Sequence, residues 1–426
     1  MIHEGSVAAV HRSRLNDHFV KPLYDTFGFA QIPQFVRSML GAGDHTGMPF
    51  DLPVDLIQPY DRVVLFFVDA FGWRFFREYQ ERSPFLQRMA DEGMVLKLTS
   101  QFPSTTAAHV TTIHTGMPVG QHGVYEWFYY EPQVDAIIAP LLFSFADDRR
   151  RDTLMQTSIT PAMLYPQQNI YQDLRQHGVD SYILQHQNYA FSPYTQLVTH
   201  GATMVPYRTL PQALATLSLL FEQQQRRSYY FVYVDSIDSL GHQYGPESPH
   251  FAAESEAFLL IMEHLFHRQL ARAPGRTLFL MTADHGQVAI DPATAIYLNL
   301  RFPKIIPWLK INTAGRPLVP AGSSRDMFLY LRDEHVDEAR AFLDQTLEGH
   351  AKVYCTADLI AQGFFGSQPP SEHFLSRVGN LVVLPYAGES VWWYEKDVFE
   401  QNFYGSHGGL TPEEMETILL VQPYGC

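Results

Sequence analysis

A short turn rich in hydroxyl groups, Pro103-Ser104-Thr105-Thr106, precedes a predicted helix. The start of a helix leaves backbone N–H groups without intrahelical partners and carries the positive end of the helix dipole, so it can seat a phosphate-like anion. Serine and threonine are also common N-cap residues with no further role. The turn therefore supports two interpretations, an anion site with a hydroxyl nucleophile or an ordinary helix cap.

Acidic residues follow three continuous apolar runs, each typical of a strand buried on both faces. The runs and the residues after them are Arg62–Val68 before Asp69, Tyr229–Val234 before Asp235 and Asp238, and Thr277–Met281 before Asp284-His285-Gly286. A lone aspartate at a strand end usually caps a turn. An adjacent carboxylate and imidazole beside a glycine is a stronger indication of a ligand site, because glycine lets the backbone come close.

Asp238 and His242 are four residues apart, so on a helix they share one face and could hold one cation. An ion pair on a helix surface explains the same spacing equally well. His407, between small residues, is either a further ligand or an ordinary polar loop residue. As a set, carboxylates and imidazoles without thiolates suit zinc, and two such clusters indicate a two-metal site that acts on phosphoryl groups.

The alternation of buried strands and helices predicts an α/β fold with a mainly parallel, doubly wound sheet flanked by helices. In such sheets, ligands bind at the carboxyl ends of the strands, where the aspartates stand. We expect residues 1–295 and 376–426 to form this core and residues 296–375 to form a small α+β insertion, a candidate cap. Residues 1–60 and 124–165 are expected to be irregular, the latter a surface excursion. Asn380–Leu384 is expected to return to the main sheet.

Composition excludes several classes of protein. The net charge is −15 and no run of lysine or arginine offers a nucleic-acid surface. The two cysteines, Cys355 and Cys426, cannot build a disulfide framework or a cysteine zinc site. Met1 to Arg14 lacks the apolar core of a signal peptide, and no run reaches transmembrane length. We expect a soluble cytoplasmic protein without a membrane partner; its oligomeric state is left open.

The motifs resemble those of the alkaline phosphatase superfamily and, within it, the nucleotide pyrophosphatase/phosphodiesterase family. The resemblance covers residues 62 to 410 and rests on Pro103-Ser104-Thr105-Thr106, Thr115-Gly116, His122-Gly123, Asp238-Ser239-Leu240-Gly241-His242, Ala283-Asp284-His285-Gly286 and His407-Gly408-Gly409. It implies an alkaline phosphatase-like fold and two divalent metal ions, with zinc expected. It also implies hydrolysis of a small-molecule phosphate ester, a phosphodiester or nucleotide pyrophosphate, through a phosphothreonine intermediate.

The resemblance also implies a role for particular residues. One metal would be held by Asp69, Thr106, Asp284 and His285, and the other by Asp238, His242 and His407. Both the Pro103 anchor and the Thr115-Gly116 anchor select Thr106 as the nucleophile over Ser104 and Thr105. Asp235 stands three residues too early to be a ligand. His109 and His114 have no place in the motifs and are expected to be structural.

The chain departs from the family pattern just after His122-Gly123. The family carries an asparagine there that contacts a phosphoryl oxygen, whereas this chain has Val124-Tyr125-Glu126-Trp127. The aromatic residues at 127–130, which are Trp127, Phe128, Tyr129 and Tyr130, could line a substrate pocket instead.

Three alternative functions were weighed. A phosphomonoesterase or phosphomutase would need a cationic group, for which Arg325 and Arg208 are candidates. A sulfatase is disfavoured because neither cysteine stands in a sulfatase motif. A non-catalytic metal-binding protein is disfavoured because all seven ligand positions are filled.

Overall fold

The computed structural model describes residues 1–43, 50–53, 56–224, 226–270 and 275–425. Its strands are β1 (Arg62–Val68), β2 (Met94–Thr99), β3 (Tyr129–Glu131), β4 (Ala136–Ala139), β5 (Ser144–Phe145), β6 (Asp180–His186), β7 (Thr203–Tyr207), β8 (Ser228–Val234), β9 (Thr277–Thr282), β10 (Val288–Ala289), β11 (Ile296–Tyr297), β12 (Met327–Leu329), β13 (Ala351–Cys355), β14 (Leu381–Pro385), β15 (Val391–Trp392), β16 (Gly405–Ser406) and β17 (Glu416–Tyr424).

Seven of these strands form the central sheet, in the order β2-β17-β9-β1-β8-β6-β7. The run from β9 to β7 is parallel, and β17 is antiparallel to both β9 and β2. Alternate side chains of β1 belong to two different cores, with Val63, Leu65 and Phe67 in one and Val64 and Phe66 in the other. A strand covered on both faces needs apolar residues at every position. The predicted α/β fold with a mainly parallel sheet is confirmed.

The helices pack on both faces of the sheet and connect its strands. They are α1 (Glu4–Arg12), α2 (Ile32–Met39), α3 (Trp73–Tyr79), α4 (Pro84–Glu92), α5 (Thr106–Thr115), α6 (Val119–His122), α7 (Pro161–Leu164), α8 (Ile170–Gln176), α9 (Pro193–Val198), α10 (Leu210–Gln223), α11 (Ser236–Tyr244), α12 (Pro249–Ile261), α13 (Arg268–Leu270), α14 (Leu298–Arg301), α15 (Val336–Thr346), α16 (Thr356–Ala361), α17 (Glu372–Arg377) and α18 (Pro412–Met415). No helix in the described part of the chain is both long and apolar enough to cross a membrane.

Two segments expected to be irregular have regular structure. Residues 1–60 contain α1 and α2, and α2 places Phe35 and Val36 in the core. Residues 124–165 contain the small antiparallel sheet β3-β4-β5, and Tyr125 and Tyr129 are fully buried. The prolines that punctuate these segments mark the ends of short elements, which hides the elements from a reading based on periodicity.

The prediction that Asn380–Leu384 returns to the main sheet is wrong. These residues form β14, the middle strand of a separate antiparallel sheet with β12 and β13. A strand buried on both faces has the same apolar pattern in either sheet, because the pattern reports burial and not the pairing partner. The strand that joins the main sheet late in the chain is β17. The proposed boundaries of the insertion, 296–375, stay a prediction.

A buried ion pair fixes the loop before β12 to α18, the helix directly before β17. The Arg325 guanidinium donates from Nε to Glu414 Oε1 and from Nη2 to Glu414 Oε2, both at 2.9 Å, and both side chains are fully buried. Glu414 also accepts hydrogen bonds from Gly409 N at 3.0 Å and from Thr411 Oγ1 at 2.7 Å. The pair therefore organises the loop that follows His407. Cys355 is unpaired, and Cys426 lies outside the described residues.

Replacing Arg325 is expected to destabilise the fold strongly. Arg325→Met leaves the Glu414 carboxylate buried without its cation, which costs about 3–5 kcal/mol of unfolding free energy. Arg316→Met removes an exposed pair with Asp147 and is expected to cost less than about 1 kcal/mol. Urea unfolding monitored by circular dichroism measures both, and equal losses in the two variants would contradict this assignment.

Candidate active site

The ends of three neighbouring parallel strands bring the acidic residues together. Strands β9, β1 and β8 are adjacent and parallel, so their carboxyl ends lie on one edge of the sheet. Asp69 follows β1 directly, and Asp284 and His285 follow β9. Asp238 lies on the first turn of α11, the helix that follows β8. This is the edge at which ligands bind in open α/β sheets.

The hydroxyl-rich turn reaches the same edge from β2. Thr106 is the first residue of α5, and Thr105 stands at its N-cap. The Thr106 Oγ1 lies 3.5 Å from Asp69 Oδ2 and 3.3 Å from His285 Nε2. The predicted helix start therefore carries one of its three hydroxyl groups into the acidic cluster. The Ser104 hydroxyl, by contrast, is buried and hydrogen-bonded to Gly409 O.

Ser104 joins this turn to the loop that carries His407. Its hydroxyl donates to Gly409 O at 2.7 Å and accepts from Gly408 N at 3.1 Å. Its own amide donates to Gly408 O at 3.2 Å, and its carbonyl lies 2.9 Å from His407 Nδ1. The backbone around Thr106 and the His407 loop are therefore held in one register. Gly408 adopts φ +126°, in the region that favours glycine.

The second group of side chains meets around Asp238. His242 Nε2 lies 3.3 Å from Asp238 Oδ2, as expected from their four-residue spacing on α11. His407 Nε2 lies 3.2 Å from His242 Nε2 and 3.7 Å from Asp238 Oδ1. The ring of His407 also stacks on the ring of His285 at 3.6 Å between centroids. The side chains around Asp238 and those around Asp69 therefore form one continuous cluster.

Two sets of three side chains have the arrangement of candidate metal ligands. They are Asp69 with Asp284 and His285, and Asp238 with His285 and His407, with the ligand atoms of each set within 4.8 Å of one another. The resemblance had assigned His285 to the first set alone, whereas its imidazole lies between the two. His242 and Thr106 border the sets at the distances given above. All seven residues predicted from the sequence therefore meet in one place; their individual roles remain a prediction.

The donor groups of this cluster fit divalent cations. Each imidazole uses Nδ1 to contact a backbone carbonyl, His242 to Gly405 O at 2.8 Å, His285 to Gly286 O at 2.9 Å and His407 to Ser104 O. This contact directs Nε2 towards the carboxylates, as in histidines that ligate metals. Among the described residues, Asp69 Oδ1 and Asp284 Oδ2 accept no hydrogen bond although both are buried. Buried carboxylate oxygens of this kind need a proton or a cation.

The charges in the cluster are unbalanced. Burial raises the pKa of Asp69 well above its ordinary value, and the negative charges of Asp284 and Asp238 raise it further. Burial also acts to raise the pKa of Asp238, but the imidazoles of His242, His407 and His285 together outweigh it and hold that pKa below the ordinary range. His285 lowers the pKa of Asp284 against burial in the same way. One carboxyl group is thus forced towards its neutral form, which a bound cation would relieve.

A cavity of about 330 Å³ opens beside the cluster. Trp127 lines it, whereas Tyr129 is fully buried and Phe128 packs against Trp392. Tyr130 packs against Tyr330. Of the four aromatic residues predicted to line a pocket, only Trp127 does so in the part of this cavity formed by described residues.

The cationic residue of the cavity is one that sequence reasoning missed. Arg151 lines the cavity. The two predicted candidates lie elsewhere, because Arg325 is buried against Glu414 and the exposed Arg208 donates to Gln187 Oε1 at 2.9 Å. The two residues before Arg151 are engaged outside the cavity, Arg149 with Asp397 O and Arg150 with Asp148. The run of three arginines reads as a solvated charge patch in sequence, so only the tertiary structure identifies Arg151.

Two further side chains position the acidic residues. The Tyr233 hydroxyl donates to Asp69 Oδ2 at 2.5 Å, and Gln287 Nε2 donates to Asp238 Oδ1 at 2.5 Å. Gln287 stands just after Asp284-His285-Gly286, which is the one signal that could have marked it. A Cβ added at Gly241 would lie 2.1 Å from Gln287 Oε1, so a side chain at position 241 would displace the Gln287 carboxamide. Tyr233 carried no signal, since a tyrosine in a buried strand is usually core.

The remaining predicted residues lie around the cluster. Asp235 lines the cavity, and in the described chain it belongs to neither ligand set. His109 is buried, accepts from Gln101 N at 2.9 Å and contacts Thr105 O at 2.7 Å, so it supports the turn. His114 is buried against the Tyr171 hydroxyl at 2.6 Å.

The chain is a member of the alkaline phosphatase superfamily. Within the superfamily it belongs to the type I phosphodiesterase / nucleotide pyrophosphatase family, whose model matches residues 63–410. The resemblance drawn from the motifs is thereby confirmed. The family is named for hydrolases, which are phosphodiesterases and nucleotide pyrophosphatases.

The individual relatives share about a quarter of their aligned residues with this chain. The chain is 25% identical to ectonucleotide pyrophosphatase/phosphodiesterase family member 3 of Mus musculus over 327 residues, which cover 73% of this chain and 33% of the relative. The corresponding protein of Rattus norvegicus is 24% identical over 314 residues. The chain thus spans about a third of the length of the curated relatives it matches.

Solved structures share the fold. Murine ectonucleotide pyrophosphatase/phosphodiesterase 5, in an inactive threonine-to-alanine form in complex with AMP, has a TM-score of 0.62 at 17% identity, covering 84% of this chain and 87% of that one. Phosphonoacetate hydrolase from Sinorhizobium meliloti 1021 in complex with phosphonoformate has a TM-score of 0.59 at 18% identity, covering 85% and 90%.

Removing one carboxylate of the cluster is expected to lower metal content. Asp284→Asn keeps the shape of the side chain but loses a charged ligand, so we expect at least one equivalent of divalent metal to be lost after dialysis. Asp235→Asn, in the same cavity but outside both ligand sets, is the matched control and is expected to keep its metal. Elemental analysis by mass spectrometry measures both, and equal metal content in the two variants would contradict the assignment.

Proposed function

We propose that this protein hydrolyses phosphodiester or nucleotide pyrophosphate bonds of small molecules, with Thr106 as nucleophile and a phosphothreonine intermediate. The observation that carries the proposal is the position of Thr106 Oγ1, at the start of α5 and within 3.5 Å of both Asp69 Oδ2 and His285 Nε2. A hydroxyl that only caps a helix would bond the backbone of its own first turn. The Thr106 hydroxyl instead faces the candidate metal ligands.

The proposed cofactor is a pair of divalent cations, with zinc expected from a donor set of aspartate and histidine. Asp69, Thr106, Asp284 and His285 would hold one, and Asp238, His242 and His407 the other, with His285 lying between the sets. When bound, such cations supply Lewis-acid charge that lowers the pKa of a hydroxyl group and offsets the charge of a phosphoryl group.

The residues of the chain account for the rest of the reaction. Thr106 Oγ1 attacks phosphorus in line, the alcohol or phosphate leaving group departs, and a phosphothreonine ester remains. Water then attacks the same phosphorus, which releases the phosphoryl product and restores the threonine hydroxyl. The first backbone N–H groups of α5 point to where the phosphoryl oxygens would lie. The cavity beside Trp127 would take the organic part of the substrate.

The relatives support this proposal at the level of reaction type. The murine protein of similar fold is inactive as a threonine-to-alanine variant and binds AMP in that form. The curated relatives are named as nucleotide pyrophosphatases/phosphodiesterases. The cavity beside the cluster has a volume of about 330 Å³, which lies in the range typical of small-molecule sites.

Arg151 favours a second candidate function, hydrolysis of phosphate monoesters. A monoester carries one more negative charge at the reacting phosphate than a diester, and a guanidinium can bind that charge through two hydrogen bonds. Arg151 lines the cavity that also contains Thr106. The two candidates differ in substrate and share the proposed chemistry.

Thr106→Ala is expected to lower kcat by at least about 1,000-fold, because the nucleophile is lost. Thr106→Ser keeps a hydroxyl at the same position and is expected to retain a measurable fraction of the activity. Both variants keep Asp69, Asp284 and His285, the other three proposed ligands of that metal, and should bind as much metal as the parent at saturating metal concentration, which separates loss of the nucleophile from loss of the site. A Thr106→Ala enzyme with full activity would exclude this nucleophile.

A matched pair of substrates separates the two candidate functions. Bis(para-nitrophenyl) phosphate is expected to be hydrolysed with a higher kcat/KM than para-nitrophenyl phosphate, and chelation of metals should abolish both activities. Arg151→Gln is expected to lower kcat/KM for the monoester by about 10-fold or more and to leave the diester within about 3-fold. A preference of the parent enzyme for the monoester would select the second candidate.

A further inference from the structure

Two acidic side chains outside the metal-ligand cluster are completely buried. Glu126 lies four residues after His122, and Asp326 directly precedes β12. The segments that carry the two acids lie side by side, since Gly322 N donates to Phe128 O at 2.7 Å and the rings of Tyr125 and Phe328 are 5.0 Å apart. Within the described chain, Glu126 Oε1 and Asp326 Oδ2 accept no hydrogen bond. One oxygen of each acid is therefore buried without a donor in two neighbouring segments.

The other oxygen of each acid is satisfied. Glu126 Oε2 accepts from Trp127 N. Asp326 Oδ1 accepts from Ser323 N at 2.9 Å and from Ser323 Oγ at 2.6 Å. Two buried carboxylates that face each other without a donor cannot both be ionised, because each charge opposes the other in a medium that screens it poorly.

The electrostatics of the two groups agree with this geometry. Burial raises the pKa of Glu126 to about 7, and the Trp127 amide and the Thr105 hydroxyl lower it only in part. Burial also raises the pKa of Asp326 well above its ordinary value, and the charge of Glu126 raises it further. His285 favours the ionised form of Glu126, whereas Glu414 disfavours that of Asp326.

We propose that Glu126 and Asp326 share one proton and form a positioning pair that ties the nucleophile turn to the His407 loop. The proton would lie between Glu126 Oε1 and Asp326 Oδ2, so that one acid donates and the other accepts. One acid of the pair would be protonated and neutral and the other ionised, so the pair would carry a single negative charge. Its effect on catalysis rests on the proposed function of Thr106, whereas the shared proton does not.

Each member of the pair reaches one part of the active site. The hydroxyl of Thr105, the residue directly before Thr106, lowers the pKa of Glu126 and so favours its ionised form. Asp326 holds Ser323, whose hydroxyl lies 3.1 Å from the backbone oxygen of His407. Asp326 also lies directly against the loop, since a Cβ added at Gly408 would come within 2.7 Å of its Oδ1. The pair thus complements the backbone contacts that Ser104 makes to the same loop.

A cation between the two acids is the competing explanation. Hard cations such as Mg²⁺ take six oxygen ligands and keep several waters. Here the donors that meet are two carboxyl groups and one hydroxyl, and both acids are fully buried. A proton satisfies the two free oxygens without further ligands, so the geometry favours the proton.

Infrared spectroscopy of the intact, metal-loaded protein tests the shared proton directly. With carbon-13 labelled aspartate and glutamate, the parent is expected to show the C=O stretch of a protonated carboxyl group at neutral pH. Both Glu126→Gln and Asp326→Asn are expected to lose that band, because an amide then supplies the hydrogen and the remaining acid ionises. Absence of the band from the parent, or its persistence in both variants, would overturn the proposal.

Kinetics of the same variants test positioning. Glu126→Ala and Asp326→Ala are expected to lower kcat by about 10–100-fold with KM within about 3-fold, the size typical of lost support around a metal site. Glu126→Gln and Asp326→Asn should restore kcat to within about 3-fold of the parent, since each amide rebuilds the hydrogen bond. Equal losses in the alanine and amide variants would overturn the positioning role.

Metal analysis distinguishes the remaining outcomes. We expect two equivalents of metal per chain, both in the parent and in Glu126→Ala. A third equivalent in the parent that is lost in Glu126→Ala would show a cation between the two acids and would overturn the shared-proton proposal. If the alanine variants do not fold, the infrared comparison of the amide variants still decides. If the parent hydrolyses no phosphate ester, the proposed function fails while the infrared result stands on its own.

Discussion

Three aspartate carboxylates lie together at one edge of the central sheet, with Asp69 and Asp284 buried and Asp238 partly buried, and the rest of the site follows from that constraint. Their ion-pair partners in the described chain are imidazoles, which carry no fixed positive charge. Burying such charges without compensation costs several kcal/mol each. A proton or a bound cation would offset that cost, and the histidines, held by their Nδ1 atoms, direct Nε2 to the place where a cation would bind.

The parallel strands bring the aspartates to one edge of the sheet, and contacts between loops fix the positions of Thr106 and His407. Adjacent strands β9, β1 and β8 end at one edge, which places the aspartates within reach of one another without any special loop. Thr106 and His407 come from parts of the chain 301 positions apart, and they depend on the contacts of Ser104 with the His407 loop. The buried Arg325–Glu414 pair supports the far side of the same loop. The Thr106 turn and the His407 loop are thus held by separate but converging sets of buried polar contacts.

The sequence predicts the acidic residues at the strand ends well, but it predicts the polar side chains that position them poorly. Asp69 and Asp284 could be predicted because an apolar run that stops at an acid marks a buried strand and its functional edge. His242 could be paired with Asp238 because helical spacing places both on one face. Gln287, Tyr233 and Arg151 were missed because their partners lie on other elements, so no local pattern reports them. The misassigned strand β14 shows the same limit, since burial does not specify which sheet a strand joins.

The central claim is that the phosphoryl group is transferred first to Thr106 and only then to water. The most direct test is the stereochemical course at phosphorus, measured with a chiral phosphorothioate diester hydrolysed in oxygen-18 water. Two successive in-line displacements each invert the configuration, so a phosphothreonine intermediate predicts overall retention. Overall inversion would mean that water attacks the substrate directly, and it would contradict the nucleophilic role of Thr106.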